Sequence, residues 1–424
     1  MLEPIRLPAG LTLLVEEAPW LQGVSLGLFL RAGVVDEPPG QGGVAHLLEH
    51  LVFRGTENHS GDELSRRIEE DGGELNAYTT KEYTCLWGRT LPQGLASFLE
   101  MLAELVLRPR LLQRDVRREI DVIAEEYALW QQDPEEYVCD LLESAVFAGT
   151  PLARTVLGEP AELTALDHLA VQAFHEATWR LEHAVLAVAG PVDRRELRRL
   201  AERLFPAQAP AQARSAAVGP PPALPAAQPV QQVHVAIGGP ARRLGDPLLV
   251  RQGMLVQELG GGPNGRLFLR LREELALSYG VYSYDTAYLD GGLWAAYADL
   301  PAAGLREGLA AVAEEAEALL QDRWLASDVE RLRRSARGAL LLALDAPFAR
   351  AERAALQVLQ LGRQESIEAE LRRIESVQRK ELHEEALRML QPDGWRIVLL
   401  HPQGGLFCGS FREVLEGGDR IWSR

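Results

Sequence analysis

The sequence predicts an α+β protein built from two homologous domains, and three observations carry that expectation. A chain of 424 residues exceeds what one hydrophobic core ordinarily organises and suits two domains of roughly 200 residues each. The stretch Ala207 to Pro229 is dominated by Ala, Pro and Gln and contains Pro220-Pro221-Pro222. No strand or amphipathic helix tolerates that composition, so it reads as an extended linker between a first domain at 1–206 and a second at 230–424. The same order of elements then recurs on either side of it.

In the first half, apolar runs predict strands over Leu11 to Val15 and Val24 to Phe29. A helix carrying His46 and His50 follows, then a helix near Glu63 to Glu70. Strands over Gly73 to Thr79 and Thr84 to Thr90 come next, and long amphipathic helices occupy Pro92 to Leu107 and Leu112 to Gln131. The second half repeats this plan. Gln231 to Gly238 reads as a strand, Leu248 to Gln257 and Arg266 to Leu275 as helices, and Gly280 to Tyr288 and Gly292 to Ala298 as strands. Helices over Gly304 to Gln321 and Ala326 to Leu344 follow. The tails agree too: Leu166 to Thr178, then Ala184 to Ala189 and Gly190-Pro191, matches Ile374 to Leu390, then Trp395 to Leu400 and His401-Pro402. A duplicated α+β domain is the economical reading.

Composition narrows the function class. Hydrophobic residues make up 47% and charged residues 25%, as in globular chains, and no apolar run reaches about 18 residues, so no membrane partner is expected. Met1 to Glu17 lack the basic-then-apolar order of a signal peptide, which makes the cytoplasm the default location. Lys plus Arg number 44 against 61 Asp plus Glu, a net charge of -17, and this argues against nucleic acid as a partner. Cys85, Cys139 and Cys408 are odd in number and widely spaced, the pattern of reduced thiols rather than of disulfides or a cysteine metal site.

The chemistry concentrates in His46-Leu47-Leu48-Glu49-His50. Histidines four apart on a helix share a face, so both imidazoles can reach one metal ion, and a carboxylate between them can handle a water at that metal. The corresponding part of the second half, Leu248 to Glu258, contains no histidine. Catalytic zinc ordinarily takes three protein ligands plus water, and the acidic helix with Glu119, Asp121, Glu125 and Glu126 is the best source of the third. Glu119 and Glu126 are seven apart and fall on nearly one face, whereas Glu125 is rotated by about 100° from Glu126. One of that pair could bind metal while the other supports a histidine Nδ1 proton. Helix geometry alone does not choose between them.

Four segments in order resemble the pitrilysin-like peptidases, the inverted-motif zinc enzymes that include the mitochondrial processing peptidase and its compact bacterial relatives. Gly43, the histidine motif, Phe53, Gly55 and Thr56 resemble that family's metal-binding helix and its exit. Gly72-Gly73 with Asn76-Ala77-Tyr78-Thr79 resembles its active-site strand, and Glu119 to Glu126 its distal glutamate helix. Arg272-Glu273-Glu274-Leu275 followed by Tyr279 resembles its Arg and Tyr pair. The resemblance implies two domains, each a mainly antiparallel sheet covered by helices. It implies one Zn2+ per chain held by His46, His50 and Glu126, with Glu119 as supporting carboxylate and Glu49 as general base. It also implies substrate contacts at Phe53, Asn76 and Ala77, with Arg272 and Tyr279 holding substrate and assisting the oxyanion. Members of the family enclose a chamber with four such domains, so a homodimer, or a heterodimer with a related zinc-less subunit, is implied.

The remaining motifs read as structural. His59, His168, His175, His183, His234, His383 and His401 lack a matching partner spacing. Leu259 to Arg266, Leu-Gly-Gly-Gly-Pro-Asn-Gly-Arg, lacks the Lys-Ser/Thr end of a phosphate loop and the Gly-x-Gly-x-x-Gly spacing. The expected activity is zinc-dependent hydrolysis of internal bonds in extended peptides or small unfolded proteins. The alternative is a non-catalytic or scaffold subunit of a heteromeric peptidase-like complex.

Overall fold

The computed structural model describes residues 1–209, 230–402 and 405–417. Most of the expected linker, Ala207 to Pro229, lies outside the described residues. The first sheet contains β1 (Ile5–Arg6), β2 (Thr12–Glu17), β3 (Val24–Leu30), β4 (Glu74–Thr79), β5 (Thr84–Thr90) and β6 (Ala184–Gly190). Their spatial order is β1-β2-β6-β3-β5-β4, and every neighbouring pair is antiparallel except β2 with β6. β4 is therefore an edge strand.

β6 reads Ala-Val-Leu-Ala-Val-Ala-Gly, and all of it is buried. A strand without polar residues needs cover on both faces. Because side chains alternate along a strand, Leu186 and Val188 enter a core with Leu13, Leu26 and Leu28. The helices Val44–Val52 and Leu95–Leu107 close that core through Leu47, Leu51, Leu99 and Leu102. Val185, Ala187 and Ala189 point the other way, toward Leu14, Phe29 and Cys85, and are covered by the helix Pro347–Leu361 through Ala351, Ala354 and Ala355. Small residues on both surfaces let that helix lie close to the sheet.

The second sheet contains β7 (Val233–Pro240), β8 (Val281–Ala287), β9 (Gly292–Leu300), β10 (Arg396–Leu400) and β11 (Leu406–Ser410). It runs β11-β10-β7-β9-β8 and is antiparallel throughout. The order β10-β7-β9-β8 repeats β6-β3-β5-β4 strand for strand, so the duplication read from the sequence is a duplication of topology. One face packs on Met254, Leu255 and Leu259 of the helix Leu249–Gly260 around Trp294 and Trp395. The helix Pro134–Val146 packs against β7, β9 and β10.

Each sheet thus receives a covering helix from the other half of the chain. One compact unit joins β1–β6 with Leu341–Ile367, and the other joins β7–β11 with Tyr127–Gly149. Each unit takes residues from beyond the bounds 1–206 and 230–424 because its doubly apolar strands require a second layer. Cys85, Cys139 and Cys408 are free thiols. Among the described residues, no helix is long and apolar enough to cross a membrane.

Candidate metal centre

The helix Val44–Val52 presents the histidines because its other face is fastened to the core. Val44, Ala45, Leu47, Leu48, Leu51 and Val52 are buried, leaving His46, Glu49 and His50 half-buried on the remaining face. Its start is held by two acids outside the motif, one nearby in the chain and one remote. Glu37 Oε1 accepts hydrogen bonds from Gly43 N and Ala45 N, both 3.0 Å, and Glu162 Oε2 accepts one from Gly42 N at 2.6 Å. Carboxyl oxygens there satisfy amides with no partner inside the helix. Burial pushes the Glu37 carboxyl up to about 8, although both backbone donors and Arg154 pull it down. Gly43 adopts φ 88°, and a Cβ on it would lie 2.9 Å from Leu157 O, so the entry requires glycine.

The helix Gln113–Gln132 brings its carboxylates to that face. His46 Nε2 and His50 Nε2 are 3.3 Å apart, Glu126 Oε2 is 3.7 Å from His46 Nε2, and Glu126 Oε1 is 3.6 Å from His50 Nε2. Four ligands at roughly 2.0–2.1 Å in a tetrahedron stand about 3.3–3.4 Å from one another. Two imidazole nitrogens and a carboxylate at these separations therefore fit zinc with one position left for water or substrate. Burial, and secondarily His50, lowers the pKa of His46 to about 4, which keeps the ring neutral, with one nitrogen free to bind metal at neutral pH. Glu125 is exposed and lies outside the cluster.

Glu119 is buried, with Oε2 3.3 Å from His50 Nδ1 and Oε1 2.5 Å from Arg54 Nε. A proton on Nδ1 shared with Glu119 leaves Nε2, the nitrogen facing Glu126, as the metal-binding lone pair. Glu119→Gln is expected to weaken zinc affinity about 10–100-fold while the fold persists, measured by competition with a calibrated chelator. Unchanged affinity would remove Glu119 from the support of the metal.

Glu49 lies between the histidines, with its pKa raised by burial and partly offset by Thr79 and His50. Its Oε2 is buried with no hydrogen-bond partner among the described residues. That is an acceptor facing no competing donor. A cavity of about 590 Å³ adjoins it, lined also by His50, Phe53, Asn76 and Glu119. Phe53 caps the end of the histidine helix. Asn76 and Ala77 lie on the edge strand β4, where Asn76 Oδ1 accepts from Ala77 N at 2.8 Å.

Arg272 and Tyr279 lie in the second unit. The Arg272 guanidinium stacks 4.3 Å from the Tyr279 ring centroid, and its Nη1 donates to Tyr279 O at 3.2 Å. Periodicity predicts an ordinary helix over Arg266 to Leu275, but Phe268–Glu274 adopts the wider π-helical turn. Ala276 then takes φ 51°. The wide turn and left-handed exit carry the chain round so that residues seven apart stack. Tyr279 is 76% exposed, which leaves its ring open to a ligand.

The second copy has an ion-pair network on the helix that corresponds to the histidine helix. Buried Glu258 on Leu249–Gly260 pairs with Arg266 Nε at 3.0 Å and with Arg331. Histidines outside the motif have ordinary partners: His59 binds Glu104, His168 binds Gln113, His175 binds Val106 O and His234 binds Tyr297. Among the described residues there is no second cluster of metal-binding type. The residues that sequence reading passed over are Glu37, Glu162 and Arg54. The only local signal for the first two was the Gly42-Gly43 pair, which marks a crowded helix entry without naming its acceptors.

Residues 12–160 match the family described as insulinase (peptidase family M16), and residues 165–336 match the one described as peptidase M16 inactive domain. An uncharacterized zinc protease of Mycobacterium bovis is 31% identical over 392 residues, spanning 91% of this chain and 90% of that protein. The uncharacterized zinc protease YmxG of Bacillus subtilis is 25% identical, spanning 94% and 97%. Among solved structures, a protease from Helicobacter pylori superposes with a TM-score of 0.85 at 18% identity, covering 95% of this chain and 99% of that one. A peptidase M16 inactive domain structure from Pseudomonas fluorescens gives 0.83 at 19% identity, covering 95% and 98%. These two likenesses establish the fold. The two family matches, together with 31% identity to a zinc protease over 91% of this chain, show that the chain belongs to peptidase family M16, the insulinase or pitrilysin-like zinc peptidases.

Proposed function

We propose that this protein is a zinc-dependent endopeptidase that hydrolyses internal bonds of extended peptides or small unfolded proteins. The observation that carries the reading is the convergence of the His46, His50 and Glu126 ligand atoms at 3.3–3.7 Å, with Glu49 between the two histidines on the same helical face. When bound, zinc supplies a Lewis acid that activates water near neutral pH and polarises the scissile carbonyl.

The chain's own residues would supply the proton transfers. Glu49, with its raised pKa, accepts the proton of the attacking water and afterwards delivers it to the departing amine. Glu119 holds His50 in one tautomer. The edge of β4 offers backbone donors and acceptors to an extended peptide, a mode that tolerates varied sequences. Arg272 and Tyr279 are assigned, by resemblance to the family, to substrate holding and oxyanion stabilisation. A homodimer, or a heterodimer with a related zinc-less chain, belongs to the same proposal.

The purified protein is expected to contain one zinc per chain and to cut internally quenched peptides. Activity should disappear on chelation and return with added zinc. A zinc-loaded protein that leaves every peptide intact would overturn the assignment and favour a non-catalytic subunit.

A further inference from the structure

The cavity beside the metal cluster carries a charge pattern that the metal chemistry does not use. Its wall contains four arginines: Arg54 from the exit of the histidine helix, Arg110 from the segment before the helix Gln113–Gln132, and Arg114 and Arg118 from the start of that helix. Outside the metal machinery only Asp62 and Asp115 oppose them. Two of the arginines are engaged: Arg54 pairs with Glu119, and Arg110 Nη2 donates to Arg54 O at 3.3 Å. The other two are available. Arg114 is exposed and, among the described residues, pairs only with its neighbour Asp115 at 3.6 Å. Arg118 is exposed and has no ion pair among the described residues.

The volume of about 590 Å³ falls within the range of roughly 300–1,000 Å³ typical of ligand sites. A chain of net charge -17 repels anionic peptides at long range. Concentrated guanidinium groups beside the reacting centre reverse that sign locally, and their planar donor forks match carboxylates. We propose that this wall is a specificity subsite that selects peptides carrying Asp or Glu next to the scissile bond. The inference rests on the peptidase reading and names its substrate class.

Binding and hydrolysis are read separately. Full-length zinc-loaded Glu49→Gln protein is titrated into fluorescein-labelled peptides that differ only by Glu, Gln or Lys at successive positions, with anisotropy as readout. At one position Glu is expected to bind about 2–5-fold more tightly than Gln for each arginine engaged, the range of an exposed ion pair. The preference should shrink as salt rises. Adding Arg114→Glu and Arg118→Glu should shift the preference to Lys, and the milder pair Arg114→Gln and Arg118→Gln should erase it. All of these side chains are exposed, and zinc content checks that each variant is folded. Equal binding of Glu and Gln peptides at every position, or a preference that survives both pairs, overturns the subsite. Hydrolysis by the unmodified protein without acid preference also overturns it and leaves the peptidase reading standing. Acid-selective binding with no hydrolysis by the unmodified protein upholds the arginine wall as an acid-binding site but overturns the peptidase reading, and with it the role of the wall beside a scissile bond.

Discussion

Replacing Glu49 by Gln is expected to lower kcat for peptide hydrolysis about 10²–10⁴-fold, the range attributed to a positioned general base, while zinc content stays at the unmodified level. Gln preserves the volume and an acceptor oxygen but cannot accept a proton from water at neutral pH. The metal shell of His46, His50 and Glu126 should be untouched, because Glu49 is not one of the clustered ligands. The two readouts are turnover of a quenched peptide and metal stoichiometry by elemental analysis. Undiminished turnover would remove Glu49 from the chemistry. Loss of zinc together with activity would make it a structural support instead.

The second large effect separates neighbours on one helix. Glu126→Gln is expected to weaken zinc binding by more than the roughly 10–100-fold typical of outer-shell changes, and to abolish activity with it. Glu125→Gln should leave both near their starting values. The contrast follows from geometry: Glu126 oxygens lie 3.6 and 3.7 Å from the two imidazole nitrogens, whereas Glu125 is exposed. An amide removes the anionic donor without changing size, so lost packing cannot explain the result. Equal zinc affinity in the two variants would overturn the ligand set. Competition with a calibrated chelator measures both.

Much of this architecture was readable from pattern. The strands expected over Thr84 to Thr90 and Val24 to Phe29 appear as β5 and β3 because their apolar runs are short and rich in residues that suit a pleated surface. The helix expected over Leu112 to Gln131 appears as Gln113–Gln132. Where pattern misled, the cause was a local exchange of hydrogen bonds. The π-helical turn at Phe268–Glu274 has the composition of an α-helix, and what distinguishes it is bonding five residues back, as where Leu275 N donates to Arg270 O at 3.0 Å, followed by Ala276 in the left-handed region. The roles of Pro134–Val146 and Pro347–Leu361 were not readable at all. Each is amphipathic, but amphipathicity states that a face is buried and not which sheet buries it.

The same division runs through the site. By itself the sequence determined the donor types, the spacing that puts His46, Glu49 and His50 on one helical face, and the presence of acidic residues on a later helix, since these follow from a backbone repeat acting over a few residues. Only the tertiary structure decided that Glu37 and Glu162 hold the entry to the histidine helix. It likewise decided that Arg54 joins Glu119 behind His50, and that arginines from three segments of the chain line one cavity. Those contacts join residues as far as 120 positions apart. They depend on how buried faces stack, and no local periodicity records that.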